Sequence, residues 1–154
     1  MSAMTTVQPI PAGFSTATPN LIVADGAAAI DFYERAFGAQ VQTRLEAGGL
    51  LLHAALRIGD SLVTLCDAMP GHGFVAPETE GPVTAWITLY VEDADALHAR
   101  AVEAGARVIN PVEDHSHGDR AGSVRDPFGH RWAIATHIED VSPEELERRM
   151  KEMA

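Results

Sequence analysis

The segment Asp114-His115-Ser116-His117-Gly118-Asp119 sets two imidazoles and two carboxylates within six residues. On an extended strand, residues i and i+2 share a face, so His115 and His117 would point both rings to one side. Imidazole and carboxylate donors suit a divalent ion, which needs three or more protein ligands. Asp119 and, from a distant strand, His53 would complete a set of His53, His115, His117 and Asp119. Sequence spacing fixes no third ligand, and the same residues also read as a polar loop or strand edge whose rings meet water.

Other reactive side chains stand alone. Cys66 has no neighbour in sequence that would lower its pKa, and reads as an inert, buried thiol. His130 lies in a turn and reads as structural. His98 falls on a helical stretch and reads as solvated, and His72 lies in a Gly/Pro-rich segment. An inward-facing Arg120 or Arg131 would need an anionic partner, either a carboxylate of the protein or a ligand. The chain has no Gly-rich phosphate loop, no Gly-x-Ser-x-Gly elbow and no Cys-x-x-Cys pair.

The whole chain narrows the partners. It has 154 residues and a formal charge of −11, which repels nucleic acid and anionic membrane surfaces. No apolar run approaches the ~20 residues that span a bilayer. The N-terminus lacks the basic and apolar regions of a signal peptide. A single cysteine excludes an intrachain disulfide, and the expected compartment is a reducing cytoplasm.

Residues 1–17 read as a flexible or loosely docked arm. Asn20–Val23 reads as a strand, Asp25 as a helix cap, and Ile30, Tyr33 and Phe37 as a helical stripe that stops at Gly38. Strands follow at 39–45, 51–58 and 61–65. The second half repeats this order: a strand over 84–91, Asp93 as cap, a stripe of Leu97, Ala101 and Ala104 that stops at Gly105, then strands at 107–111, 121–125 and 131–137. The two halves align at an offset of about 68 residues. The expected divisions are a first β-α-β-β-β module over 18–69, a linker over 70–82, a second module over 83–138, and a C-terminal helix within 139–154. Ser142, Pro143 and Glu145 form that helix's capping box, and Leu146, Met150 and Met153 its apolar stripe.

Asp126-Pro127-Phe128-Gly129-His130-Arg131-Trp132 is a tight turn that opens into a strand. With Ala29 through Ala39, Leu89 through Asp93, Gly118-Asp119-Arg120 and the paired modules, it resembles the vicinal oxygen chelate superfamily of glyoxalases, bleomycin-resistance proteins and extradiol dioxygenases. The closer similarity is to the PhnB-like branch. The resemblance implies an α+β fold in which the curved mixed sheets of two β-α-β-β-β modules enclose one pocket. It also implies a homodimer.

Strand alternation within that fold turns Thr84, Trp86, Thr88 and Tyr90 inward, and likewise Thr18, Asn20, Thr64, Cys66, Arg131, Ala133, Ala135 and His137. The superfamily's metal positions carry over to Thr18, Thr64 (or Val63), Trp86 and Ala133, which are poor donors for a first-row metal. The expected function is therefore a binding protein of the resistance or sequestration type, without cofactor. Thr18, Asn20, Thr64, Trp86, Thr88, Tyr90, Arg120 and Arg131 would contact a small organic molecule. The alternative is a lyase, isomerase or oxygenase that uses either the divalent-metal set above or a cofactor-free His or Asp base.

Overall fold

Each half of the chain starts its helix with an aspartate cap. Asp25 accepts from the amide of Ala28 and Asp93 from that of Ala96, in each case satisfying an N–H that the helix leaves without a partner. The computed structural model describes residues 6–154, so the first five residues of the expected arm lie outside it. The first module comprises β1 (Asn20–Val23), α1 (Gly26–Phe37), β2 (Gln40–Ala47), β3 (Leu50–Ile58) and β4 (Ser61–Asp67). The second comprises β5 (Ile87–Tyr90), α2 (Ala94–Ala104), β6 (Arg107–Asp114), β7 (Asp119–Arg125) and β8 (Arg131–His137). Helix α3 (Pro143–Met153) ends the chain.

The sheets share one topology. Their strand orders are β1-β4-β3-β2 and β5-β8-β7-β6, with the first pair of each parallel and the rest antiparallel. This is the expected pair of β-α-β-β-β modules. The period-2 strands and 3.6-period helices made it legible, because each apolar stripe had only one element type that would bury it.

The modules join through an aromatic cluster under the Asp126 turn. Tyr33 and Phe37 of α1 pack on Trp132 with ring centroids 5.4 and 4.8 Å apart, and Phe128 lies 6.1 Å from Phe32. Asp126, 2% exposed, sits at its centre. One carboxylate oxygen accepts from the Tyr33 hydroxyl at 2.6 Å and the Trp132 indole at 2.8 Å. The other accepts from the amides of Phe128 and His130, both at 2.9 Å. Burial first, and the Asp126 charge second, push the Tyr33 phenol well above its usual range, so Tyr33 remains the donor. The helices also cap one another. Arg35 donates to the carbonyl of Ala104, and Arg100 to those of Arg35 and Glu34, so cations meet the negative ends of both helices.

The structure corrects three expectations. The fifth strand spans Ile87–Tyr90 rather than 84–91, because residues 83–86 instead wall a cavity between the modules. His98 is not solvated: it is 8% exposed, and its Nε2 lies 3.3 Å from the carbonyl of Asn110. Helix α2 packs on β6 and β7, so its polar-looking position faces a strand edge. In the expected capping box, Ser142 accepts from the amide of Glu145, but the Glu145 carboxylate pairs with Arg148 and Arg149 instead of closing the box.

Candidate functional site

Strand register builds the inner face of the second sheet. Thr88 pairs with Ala133, which pairs with Ser123, which pairs with Asn110; one step along, Tyr90, Ala135 and Ala121 align. Because alternate residues share a face, these rows form one concave wall. The residues between the polar ones are small, so the floor is low. The resulting cavity has a volume of about 310 Å³ and is bounded by Trp86 and Arg131 at one end and by His115, His117 and Asp119 at the other. Trp86 is 58% exposed and Tyr90 66%, a large apolar area for one open face.

At the far end, Asp119 is buried and accepts from Tyr90 at 2.8 Å and from His137 Nδ1 at 2.8 Å. Burial disfavours the Asp119 carboxylate, but hydrogen bonds from His137 and Tyr90 and the nearby His117 outweigh it and hold its pKa below the usual value. The second nitrogen of His137 lies 2.7 Å from Asp140, so both ring nitrogens face carboxylates. Only an imidazolium donates both ways, and the hydrogen bond to Asp119, then that to Asp140, raises the pKa of His137. His115 and His117 stack with centroids 5.4 Å apart in the β6–β7 turn. His115 Nε2 lies 3.1 Å from the carbonyl of Ala121, and His117 Nδ1 lies 3.7 Å from Asp119.

Of the residues expected to bind ligand, the structure brings Trp86, Thr88, Tyr90 and Arg131 together on this wall. Asn20 lines a separate cavity between the modules, which also reaches Trp86 and Arg131. Three others lie elsewhere. Arg120 points to the helix side of β7, where it pairs with Asp95 at 2.7 Å and Asp114 at 3.0 Å. Its parity on the strand is opposite to that of Asp119 and Ala121, so an internal ion pair uses its charge. Thr64, 3% exposed, gives its hydroxyl to the carbonyl of Pro19 and also meets the Asn20 side chain. Thr18 bonds the carbonyl of Ser15. Ser123 and Asn110, which bond each other at 2.9 Å, were missed. The parity of Ser123 with Ala121 was the one signal for it, while Asn110 required knowledge of the strand partner.

Thr64, Trp86 and Ala133, expected at three of the superfamily's metal positions, offer poor donors for a first-row metal. Thr64 is already hydrogen-bonded, and Trp86 and Ala133 carry no donor for one. His53 lies on β3 of the other sheet, paired with Leu45, and does not form a metal-holding group with His115 and His117. Among the described residues, no three His, Cys, Asp or Glu side chains are grouped to hold an ion. Cys66 is half-buried, and burial followed by Asp67 raises its thiol pKa, which disfavours the nucleophilic thiolate. Among the described residues, no helix is long and apolar enough to cross a membrane.

Comparisons with known proteins agree with this architecture. The sequence model of the Glyoxalase/Bleomycin resistance protein/Dioxygenase superfamily matches residues 15–134. An uncharacterized protein of Mycobacterium tuberculosis H37Rv is 42% identical over 137 residues, covering 86% of this chain and 81% of that one. The crystal structure of TioX from Micromonospora sp. ML1 superposes with a TM-score of 0.65 at 29% identity, over 80% of this chain and 99% of TioX. The fosfomycin resistance protein FosX from Mesorhizobium loti shares the fold, with a TM-score of 0.60 at 16% identity, over 89% of this chain and 97% of its own.

Proposed function

The chain belongs to the Glyoxalase/Bleomycin resistance protein/Dioxygenase superfamily, and from that premise we propose that it binds a small organic molecule on the concave face of its second sheet, without a metal, as a resistance or sequestration protein. The observation that carries this reading is the wall itself. Small residues form the floor, Trp86 and Tyr90 stand exposed, and Thr88, Asn110 and Ser123 supply a few polar groups, the usual makeup of a ligand cavity. The reading includes placement in the PhnB-like branch, supported by the Asp126–Trp132 turn, and a cytoplasmic location, supported by the single cysteine.

A thermal-shift screen of planar aromatic compounds tests it. Hits are expected to lose their stabilisation in Trp86→Ala and in Ala133→Phe, which fills the floor; removing a stacking partner from the site weakens binding about tenfold or more. No stabilising compound, or hits indifferent to both variants, would overturn the reading. The same protein, purified without a histidine tag, is expected to carry less than stoichiometric Fe, Mn, Ni or Zn. Stoichiometric metal that is lost in His115→Ala/His117→Ala would establish the metal alternative. One observation favours an enzyme: Asp119 is held ionised beside His117 at the wall's end. Hits recovered chemically altered after incubation would establish that second reading.

The proposal also includes a homodimer. Leu45 on the first sheet is 57% exposed, and the cavity of the second sheet lies open, so each copy leaves apolar surface that a second copy would cover. Light scattering is expected to give twice the chain mass of 16.4 kDa; the mass of a single chain at micromolar concentration would refute it.

A further inference from the structure

A larger cavity, of about 620 Å³, lies between the modules, walled by β1, the linker and the start of β5. Its apolar lining includes Pro19, Leu21, Val75, Pro77, Pro82 and Val83. The chain has 22 acidic residues, yet none lines this cavity. Two basic side chains do. His130 is already engaged, with Nε2 2.8 Å from the carbonyl of Ile22.

Arg131 is the other. Its guanidinium carbon lies 5.0 Å from the centre of the Trp86 ring, which covers one face of the cation. Among the described residues Arg131 makes no ion pair, and its Nε is the single buried side-chain polar atom without a hydrogen-bond partner. Arg120, by contrast, carries two carboxylates. A half-buried cation whose buried Nε is an unused donor, in an acid-free, apolar cavity, is a site for a negative charge.

We propose that the inter-module cavity binds an organic anion with an apolar body of one or two rings. Its carboxylate or sulfonate meets the edge of the Arg131 guanidinium, and its body lies against the proline-rich wall. This site is distinct from the concave wall of the second sheet, although Trp86 and Arg131 border both, and the proposal does not depend on the binding reading given for that wall.

The test is a fluorescence titration of the full chain with 1-anilinonaphthalene-8-sulfonate, beside the uncharged N-phenyl-1-naphthylamine. The anion is expected to bind saturably, one per chain, and about tenfold more tightly than the neutral probe. Arg131→Gln is expected to remove that preference. Ala85→Phe and Thr84→Phe, which fill this cavity alone, are expected to weaken the anion about tenfold, and Ala133→Phe to leave it within about twofold. Each variant is first matched to the parent in its thermal melt, and the two filling variants are read independently so that one misfolded chain does not decide the result. Non-saturable binding, equal affinity for the two probes, or indifference to Arg131→Gln would overturn the proposal. Weakening in Ala133→Phe with none in the filling variants would place the anion on the concave wall, which overturns this site and leaves the other reading standing.

Discussion

Asp126→Ala is expected to lower the unfolding free energy by about 4 kcal/mol, as removal of one partner from a buried charged network does. In a chain of this size the melting temperature should fall by roughly 10 °C. Four donors converge on the carboxylate: the Tyr33 hydroxyl, the Trp132 indole and the amides of Phe128 and His130. Alanine leaves all four unpartnered at a site that is 2% exposed. Two of these bonds shape the turn, one fixes Trp132 on β8, and one reaches Tyr33, 93 residues earlier, in the other module. Tyr33→Phe removes a single donor and should lower stability by about 1–2 kcal/mol. In the Asp126→Ala background the same change should matter less, because the hydroxyl has already lost its acceptor. Chemical denaturation measures all four chains of this cycle. A decrease under about 1 kcal/mol for Asp126→Ala, or full additivity, would show that the carboxylate does not join the modules.

Gly118→Ala is expected to lower stability by about 3 kcal/mol, with the damage concentrated at the Asp119 end of the wall. Gly118 has a φ of +101°, which L-residues resist, and an added methyl would overlap the carbonyl of Glu139. That neighbour is backbone and has no rotamer to change. The Gly118 carbonyl also accepts from the amides of Ile138 and Glu139, binding the β6–β7 turn to the segment that leads into α3. Arg149 of α3 reinforces the link through Glu139 and the carbonyl of Ser116. Displacing the turn should therefore loosen α3 as well as His117 and Asp119. Hydrogen exchange should show reduced protection across 115–119 and 138–153, while α1 keeps its own. A uniform decrease across the chain, or none, would contradict this local role.

The superfamily turn at Asp126 was readable from the primary structure, but its task was not. Pro127 and Gly129 mark a tight turn by their own backbone preferences. That Asp126 also binds Tyr33 depends on the docking of α1 against β8, which no spacing within the turn contains. Arg131 and Arg120 make the same point. Both were candidates for an anionic partner, and an internal carboxylate was an option for each. Asp95 and Asp114 supply it for Arg120, whereas Arg131 stands over Trp86 with no carboxylate partner among the described residues.

Period and local chemistry were enough for the repeated β-α-β-β-β order, the Asp25 and Asp93 caps, and the shared face of Trp86, Thr88, Tyr90, Arg131, Ala133 and Ala135. Those features depend on residues a few positions apart, where backbone geometry alone sets which side chains meet. Tertiary packing decided which polar groups were already satisfied and which were left to face a cavity. It buried His98, gave the Thr64 hydroxyl to Pro19, paired Arg120, and left Arg131 Nε without a partner between the modules. Such outcomes depend on where distant strands and helices come to rest, because burial removes water as the default hydrogen-bond partner and leaves only the groups that the fold brings near.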